Sequence, residues 1–147
     1  MRSSVDSCRD DSGSLTFAVR KAWLAMRSAI GEELKAFGLS SPQYATLMMA
    51  RAQPGMSAAD IAREVGCTRQ SATEMLGGLE REGLIERRPH PTDRRTQQFH
   101  VTEAGAARYA QAHRAVIRRE AELAAAFDAE QMKAVRHWLA NVSEACR

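Results

Sequence analysis

The sequence predicts a mainly α protein carrying one small β-hairpin. Three observations carry that prediction. Apolar residues recur every three or four positions over three long stretches, one near the N-terminus and two after Thr102. Between them lie shorter amphipathic segments, two of them joined by a tight turn at Gly66. These are followed by a run that alternates with period two and is interrupted by prolines and arginines.

Taken in order, residues 1–13 are rich in Ser, Asp and Arg and read as a flexible tail containing Cys8. A first helix is expected from about Ser14 to Phe37, with Leu15, Val19, Trp23, Met26, Ile30, Leu34 and Phe37 on one face and Gly38 as its stop. Ser41 and Pro42 open a second helix, proline taking its favoured first position, and Tyr44, Leu47 and Met48 form the inner face. Gln53-Pro54-Gly55 is a turn, after which Met56 can add a short edge strand to the hairpin.

A third helix is expected from about Ala58 to Val65, capped by Ser57 with Asp60 as a shortened capping box and stopped by Gly66. Thr68 caps a fourth, running to about Glu82, whose apolar stripe is Ala72, Met75, Leu76 and Leu79; Gly83 ends it. Leu84 to Arg88 reads as a strand. Pro89 to Arg94 is expected not to continue it, because two prolines remove ladder donors. Thr96 to Val101 returns, with Gln97, Phe99 and Val101 on one face and Gln98 and His100 on the other. Thr102 caps a long helix to about Phe127, with Ala106, Tyr109, His113, Val116, Glu120, Leu123 and Phe127 in a near-heptad stripe. Asp128 with Gln131 caps the last helix, where Met132, Val135, Leu139 and Val142 are expected to face inward.

The outward face of the fourth helix is chemically specific. A rotation of about 100° per residue places Gln70, Thr73, Glu74, Gly77 and Arg81 opposite the apolar stripe, with Arg69 flanking them. Arginine can grip guanine, glutamine can grip adenine, and threonine can touch a thymine methyl or a phosphate. Gly77 would let another backbone approach. The hairpin beside this helix puts Arg94 and Arg95 near Arg87 and Arg88, four arginines against the single acid Asp93. A polar helix and a narrow basic finger suit one groove each of a duplex. Read separately, the first is a solvated surface and the second an arginine-rich turn; together they are far more specific.

In the order Pro42-Gln43-Tyr44, Ala59-Asp60-Ile61-Ala62, Thr68 to Glu82, Gly83-Leu84-Ile85-Glu86-Arg87, Asp93-Arg94-Arg95 and Val101-Thr102-Glu103-Ala104-Gly105, the chain resembles the MarR family of bacterial transcription regulators. The resemblance runs from about Leu15 to the end. It is most specific at the D-x-R followed by Phe99-His100-Val101-Thr102-Glu103-Ala104-Gly105, where Phe99 and Val101 stand in place of the family's common leucines. It implies a winged helix-turn-helix over 38–102, with N- and C-terminal dimerisation helices over 14–37 and 103–147. It further implies a homodimer on a pseudo-palindromic double-stranded DNA operator, acting as a ligand- or oxidant-responsive repressor. The DNA-binding residues would be Thr68, Arg69, Gln70, Ser71 and Thr73 on the helix and Arg87, Asp93, Arg94 and Arg95 on the wing, with Arg95 in the minor groove and Asp93 orienting a neighbouring arginine. A small aromatic or amphiphilic effector would enter a cleft assigned by element position to Trp23, Met26, Tyr44, Met48 and Arg51, residues that serve equally well as core. The family's peroxide sensors carry a reactive cysteine near the start of the first helix; here that region is Leu15-Thr16-Phe17.

Composition agrees. A chain of 147 residues is one domain, or one domain plus dimerising helices. With 5% aromatic residues a lone protomer has a thin, alanine-rich core, which favours burying helices against a second copy. The net charge of +3 hides the concentration of arginine in the hairpin. No apolar run is long enough to span a membrane, and the N-terminus lacks a signal-peptide core. Cys8, Cys67 and Cys146 show no close pairing, which fits a reducing cytoplasm. Cys67, just before the reading helix, is expected to be buried, and its oxidation would disturb that helix. His90 and His100 are read as phosphate contacts or solvated side chains, and His113 as an interface histidine. His113 with Glu120 or Glu122 is a weak metal candidate, and no metal, cofactor or catalytic constellation is assigned. The alternative function is a winged-helix protein-interaction module without DNA binding, kept open by Glu74, Glu80 and Glu82 on the reading helix.

Overall fold

The computed structural model describes residues 13–147; all of the N-terminal tail except Gly13, and with it Cys8, lies outside the described residues. Six helices and one hairpin follow in the order α1 (Leu15–Lys35), α2 (Ser41–Ala52), α3 (Ala58–Val65), α4 (Arg69–Arg81), β1 (Ile85–Pro89), β2 (Gln97–Val101), α5 (Glu103–Ala124) and α6 (Ala129–Ala145). Each helix starts on a side-chain cap: Ser14, Ser40, Ser57, Thr68, Thr102 and Asp128 each accept a backbone N–H from three residues on. The capping boxes expected at Ser57/Asp60 and Asp128/Gln131 both form, and Ser40 makes a third with Gln43. Ser57 donates to the Asp60 carboxylate from its backbone and its hydroxyl, which holds that group below the usual carboxylate range. Gly66 closes α3 in the left-handed region, at φ 75°.

The hairpin is antiparallel, pairing Ile85 with Val101 through to Pro89 with Gln97. Pro89 therefore continues the strand, against the sequence expectation. The reason is register: the His90 N–H bonds the Thr96 carbonyl at 3.1 Å, so Pro89 occupies an adjacent position whose nitrogen points away from β2 and needs no donor. Met56 pairs with Phe99 on the other side of β2, as expected, through Phe99 N–H to Met56 O at 3.0 Å.

The core lies in the head, where Leu34, Leu39, Leu47, Ile61, Leu76, Leu79, Leu84, Ile85 and Phe99 are buried together with Tyr44, Tyr109 and Val116. The start of α5 is stapled to the turn after α4. Thr102 donates its hydroxyl to Gly83 O at 2.6 Å and its N–H to Leu84 O at 3.1 Å. A Cβ on Gly105 would sit 1.9 Å from that same Leu84 carbonyl oxygen, so only glycine fits there.

The long helices differ from expectation in what they bury. On α1 only the C-terminal end of the stripe docks: Leu34 is buried, while Leu15, Trp23 and Met26 are exposed. On α5 the buried residues are Gly105, Tyr109, Ala112, Ala115 and Val116. The small ones let α1 and α2 pack close, whereas Leu123 and Phe127 of the expected stripe stay exposed. None of α6 is buried, so Val135, Leu139 and Val142 do not face inward within the protomer. Periodicity identifies an apolar face without saying which molecule covers it. Among the described residues no helix is long and apolar enough to cross a membrane.

Candidate nucleic-acid interface

The second helix of the α3–α4 pair presents its first two turns to solvent. Thr68, Arg69, Gln70, Ser71, Thr73 and Glu74 are all exposed, while Ala72, Leu76 and Leu79 anchor the opposite side in the core. Thr68 Oγ1 accepts from Ser71 N at 3.1 Å and donates to Ser71 Oγ at 2.9 Å, so both hydroxyls belong to the cap. Thr73 gives its hydroxyl proton to the Arg69 carbonyl at 2.9 Å, leaving a methyl group and oxygen lone pairs to face outward. Gln70 donates to Glu74 at 3.3 Å, so this glutamine amide is already oriented on the helix surface. Arg81 lies over Gly77, its Nη1 only 3.3 Å from where a Cβ would be.

The wing is ordered by side chains at its tip. Asp93 accepts from Thr96 Oγ1 at 2.7 Å and from Arg95 N at 3.0 Å, and these two bonds, Thr96 first, hold its carboxyl below the usual range. Asp93 thus shapes the backbone that carries Arg95 rather than gripping an arginine side chain. His90 adds a second staple, its Nδ1 accepting from Thr92 N at 3.2 Å and Asp93 N at 3.0 Å. Arg94 and Arg95 are exposed and form no ion pair among the described residues. Arg88 pairs with Glu86. Arg87 reaches back to Glu80 of α4 at 3.1 Å, with its guanidinium 5.4 Å from the centre of the Phe99 ring.

Between helix and wing runs a groove of about 260 Å³, bordered by Ser57, Ala58 and Ala59 at the start of α3, by Arg69 and Thr73 of α4, and by Arg87, Arg95, Thr96 and Gln97 of the wing. Three arginines and no carboxylate line it. The acids that favoured a protein-interaction surface are largely engaged: Glu80 with Arg87, and Glu82 with Arg108 of α5 at 2.8 Å.

The residues assigned to an effector cleft fall into two groups. Tyr44 is buried, stacks on Tyr109 at 5.3 Å and shares a hydrogen bond with His113 Nδ1 at 2.7 Å, and burial above all raises its phenol pKa. Arg51 lies over the Tyr109 ring at 4.6 Å, on the same helix as the exposed Met48. Trp23 and Met26 instead open outward on α1, 58% and 43% exposed. Beside α1 the structure has a separate, open hollow of about 570 Å³, lined by Leu24, Arg27, Gly31, Leu39, Ser41 and Pro42 among others. Cys67 is half-buried rather than buried, next to the cap of α4. The histidine staple and the Glu80–Arg87 pair were not read from the sequence. A histidine two residues before the Thr92 N–H, where Asp or Asn would make a turn, was the available signal for the first.

A polar helix and an arginine-tipped wing flanking a cationic groove define a winged-helix DNA-binding protein. Residues 39–96 match the profile of the MarR family. A putative transcriptional regulatory protein for the hcr operon of Thauera aromatica is 30% identical over 121 residues, covering 81% of this chain and 73% of that one. The homoprotocatechuate degradative operon repressor of Escherichia coli is 29% identical over 126 residues, 86% of this chain and 85% of the relative. Among solved structures, the transcriptional repressor CouR bound to a 23-mer DNA duplex superposes with a TM-score of 0.83 at 28% identity, covering 92% of this chain and 96% of that one. The chain belongs to the MarR family, and it is a DNA-binding transcription regulator.

Proposed function

We propose that two copies of this chain form a repressor that binds a pseudo-palindromic duplex and releases it when a small aromatic or amphiphilic molecule binds. The observation that carries the DNA-binding part is the cationic groove between α4 and the wing, open to solvent and free of lining carboxylates. A phosphate strand laid along it would meet Arg69, Arg87 and Arg95. Thr68, Arg69, Gln70, Ser71 and Thr73 then face the major groove. Arg94 and Arg95, on the tip that Asp93 orders, face the adjacent minor groove.

The dimer is supported by the exposed apolar side chains. Leu15, Phe17, Trp23 and Leu24 on α1 and Val135, Trp138, Leu139 and Val142 on α6 are exposed in the protomer, far more than a solvated surface needs. The effector is supported by the cluster of Tyr44, Tyr109, His113 and Arg51, aromatic faces joined to a cation and polar tips. The E. coli relative represses a homoprotocatechuate degradative operon, and an aromatic acid of that kind suits such a cluster.

Selection of duplexes from a random pool tests this. The enriched fragments should carry two related half-sites about one helical turn, ~10 base pairs, apart. On such a fragment Arg95→Ala should weaken binding about tenfold or more while the dimer stays folded. An affinity within twofold of the unmodified protein refutes the role given to Arg95. Binding should also fall by ~0.9 log unit per decade of salt for each phosphate contacted.

A further inference from the structure

The single imidazole at the wing tip makes an unusual set of contacts. His90 Nδ1 accepts from the main-chain N–H of Thr92 at 3.2 Å and of Asp93 at 3.0 Å, with the Thr92 hydroxyl at 3.3 Å. Backbone N–H groups only donate. The bonds therefore require a neutral ring whose proton is on Nε2 and whose Nδ1 lone pair is free. His90 also closes the hairpin through its own N–H to Thr96 O. The segment it staples begins the turn that Asp93 completes by accepting from Arg95 N and Thr96 Oγ1. Two acceptors, one imidazole and one carboxylate, thus shape the whole tip, and histidine is the side-chain type that serves proteins as a pH switch.

We propose that His90 is a positioning residue for DNA binding: as a neutral acceptor it holds the tip in the form that presents Arg94 and Arg95, and its protonation lets that form go. The proposal rests on the DNA-binding reading above. Protonation places a hydrogen on Nδ1, where it meets the Thr92 and Asp93 N–H groups head-on. The charged ring becomes a donor, and the Asp93 carboxylate on the same turn is an acceptor of opposite charge that a charged ring would attract. Either change draws the tip away from the form that orders Arg95. Asp93 favours the charged ring. Arg94 and Arg95 on the same tip oppose it, as does Arg88, itself paired with Glu86 on the strand leading in. Asp93 stays ionised throughout the test, because its carboxyl is held below the usual carboxylate range.

The sign of the effect separates this from simple charge. A protein that gains a positive charge beside phosphates should bind DNA more tightly as pH falls. Release of the tip predicts the reverse. The test is fluorescence anisotropy on a duplex selected against the unmodified protein at pH 8, repeated down to pH 5.5 at constant salt, with His90→Asn and His90→Ala alongside. Asparagine can accept the same two N–H groups through Oδ1 and does not titrate; alanine can do neither. The unmodified protein should lose roughly fivefold in affinity over that interval relative to His90→Asn. His90→Ala should be weak at every pH, and His90→Asn should bind as the unmodified protein does at pH 8. Nitrogen-15 NMR at pH 8 should show His90 as the Nε2–H tautomer. A pH response shared by the unmodified protein and His90→Asn overturns the proposal, since it would come from other groups. So does a His90→Ala variant that binds normally at pH 8. Failure of the unmodified protein to retain any duplex at pH 8 would instead remove the DNA-binding reading, and this inference with it.

Discussion

Gly105 and Asp93 show how single atoms set the geometry of this regulator. A methyl group at 105 would overlap the Leu84 carbonyl oxygen, and that oxygen already accepts the Thr102 N–H, so it cannot retreat without breaking a bond. Gly105→Ala should therefore cost about 1–3 kcal/mol, read as a lower denaturant midpoint at unchanged slope. An unaltered midpoint would mean that the contact between α5 and Leu84 is looser than described. Asp93 makes a contrary prediction to electrostatics. Removing an acid from a DNA-facing tip should strengthen binding if charge alone mattered, yet Asp93→Ala frees the backbone of Arg95 and should weaken it several-fold in a gel shift. The sign of its pH dependence follows from its lowered pKa. A carboxyl that titrates lower in the folded tip than in the unfolded chain adds order that is fully present above its unfolded pKa. That order is lost as pH drops through the folded value. The contribution of Asp93 should thus be constant from pH 8 to 5.5 and vanish only in stronger acid, which chemical shifts of the Thr96 and Arg95 amides would follow.

Between elements, the pair Glu80–Arg87 ties the reading helix to the wing, with Phe99 beneath the guanidinium. Both side chains are more than a third exposed, so the pair adds little to stability. Its effect belongs to placement: Arg87 keeps further donors free for a phosphate while Glu80 fixes where they point. Glu80→Gln should lower operator affinity by roughly threefold although it removes a negative charge, and the loss should disappear in an Arg87→Ala background. A tighter-binding Glu80→Gln would show that the acid merely repels DNA. Most of the elements were legible beforehand because their signals are local: a cap such as Ser57, a stop such as Gly66, the alternation of Gln97 to Val101. Pro89 misled because a proline is forbidden only where its nitrogen faces the partner strand, and register is a property of two strands together. The contacts of His90 and Glu80 were not legible for a related reason. Their partners depend on the path of the tip and on the angle between α4 and the hairpin, and neither leaves a period in the chain.

For the whole molecule, the apolar residues left outside determine what is expected in solution. The stripes on α1 and α6 were visible in the sequence, and the thin core already favoured covering long helices with a second copy; spacing alone could not say which apolar positions a protomer keeps for its own core. Leu139→Glu should shift sedimentation from dimer to monomer and reduce affinity for a two-half-site duplex by about a hundredfold, while a single half-site is bound nearly as before. A dimer unaffected by that change would place the association elsewhere. The joint at the root of α5 gives the assembly its mechanical character. Thr102, Gly105 and the Arg108–Glu82 pair join the turn after α4 to the root of a helix of 22 residues. At 1.5 Å per residue that helix is a lever arm about 33 Å long. Pivoting it by about 5° swings its far end by about 3 Å, so a nudge too small to disturb any core contact is geared up into a displacement comparable to the spacing of neighbouring base pairs.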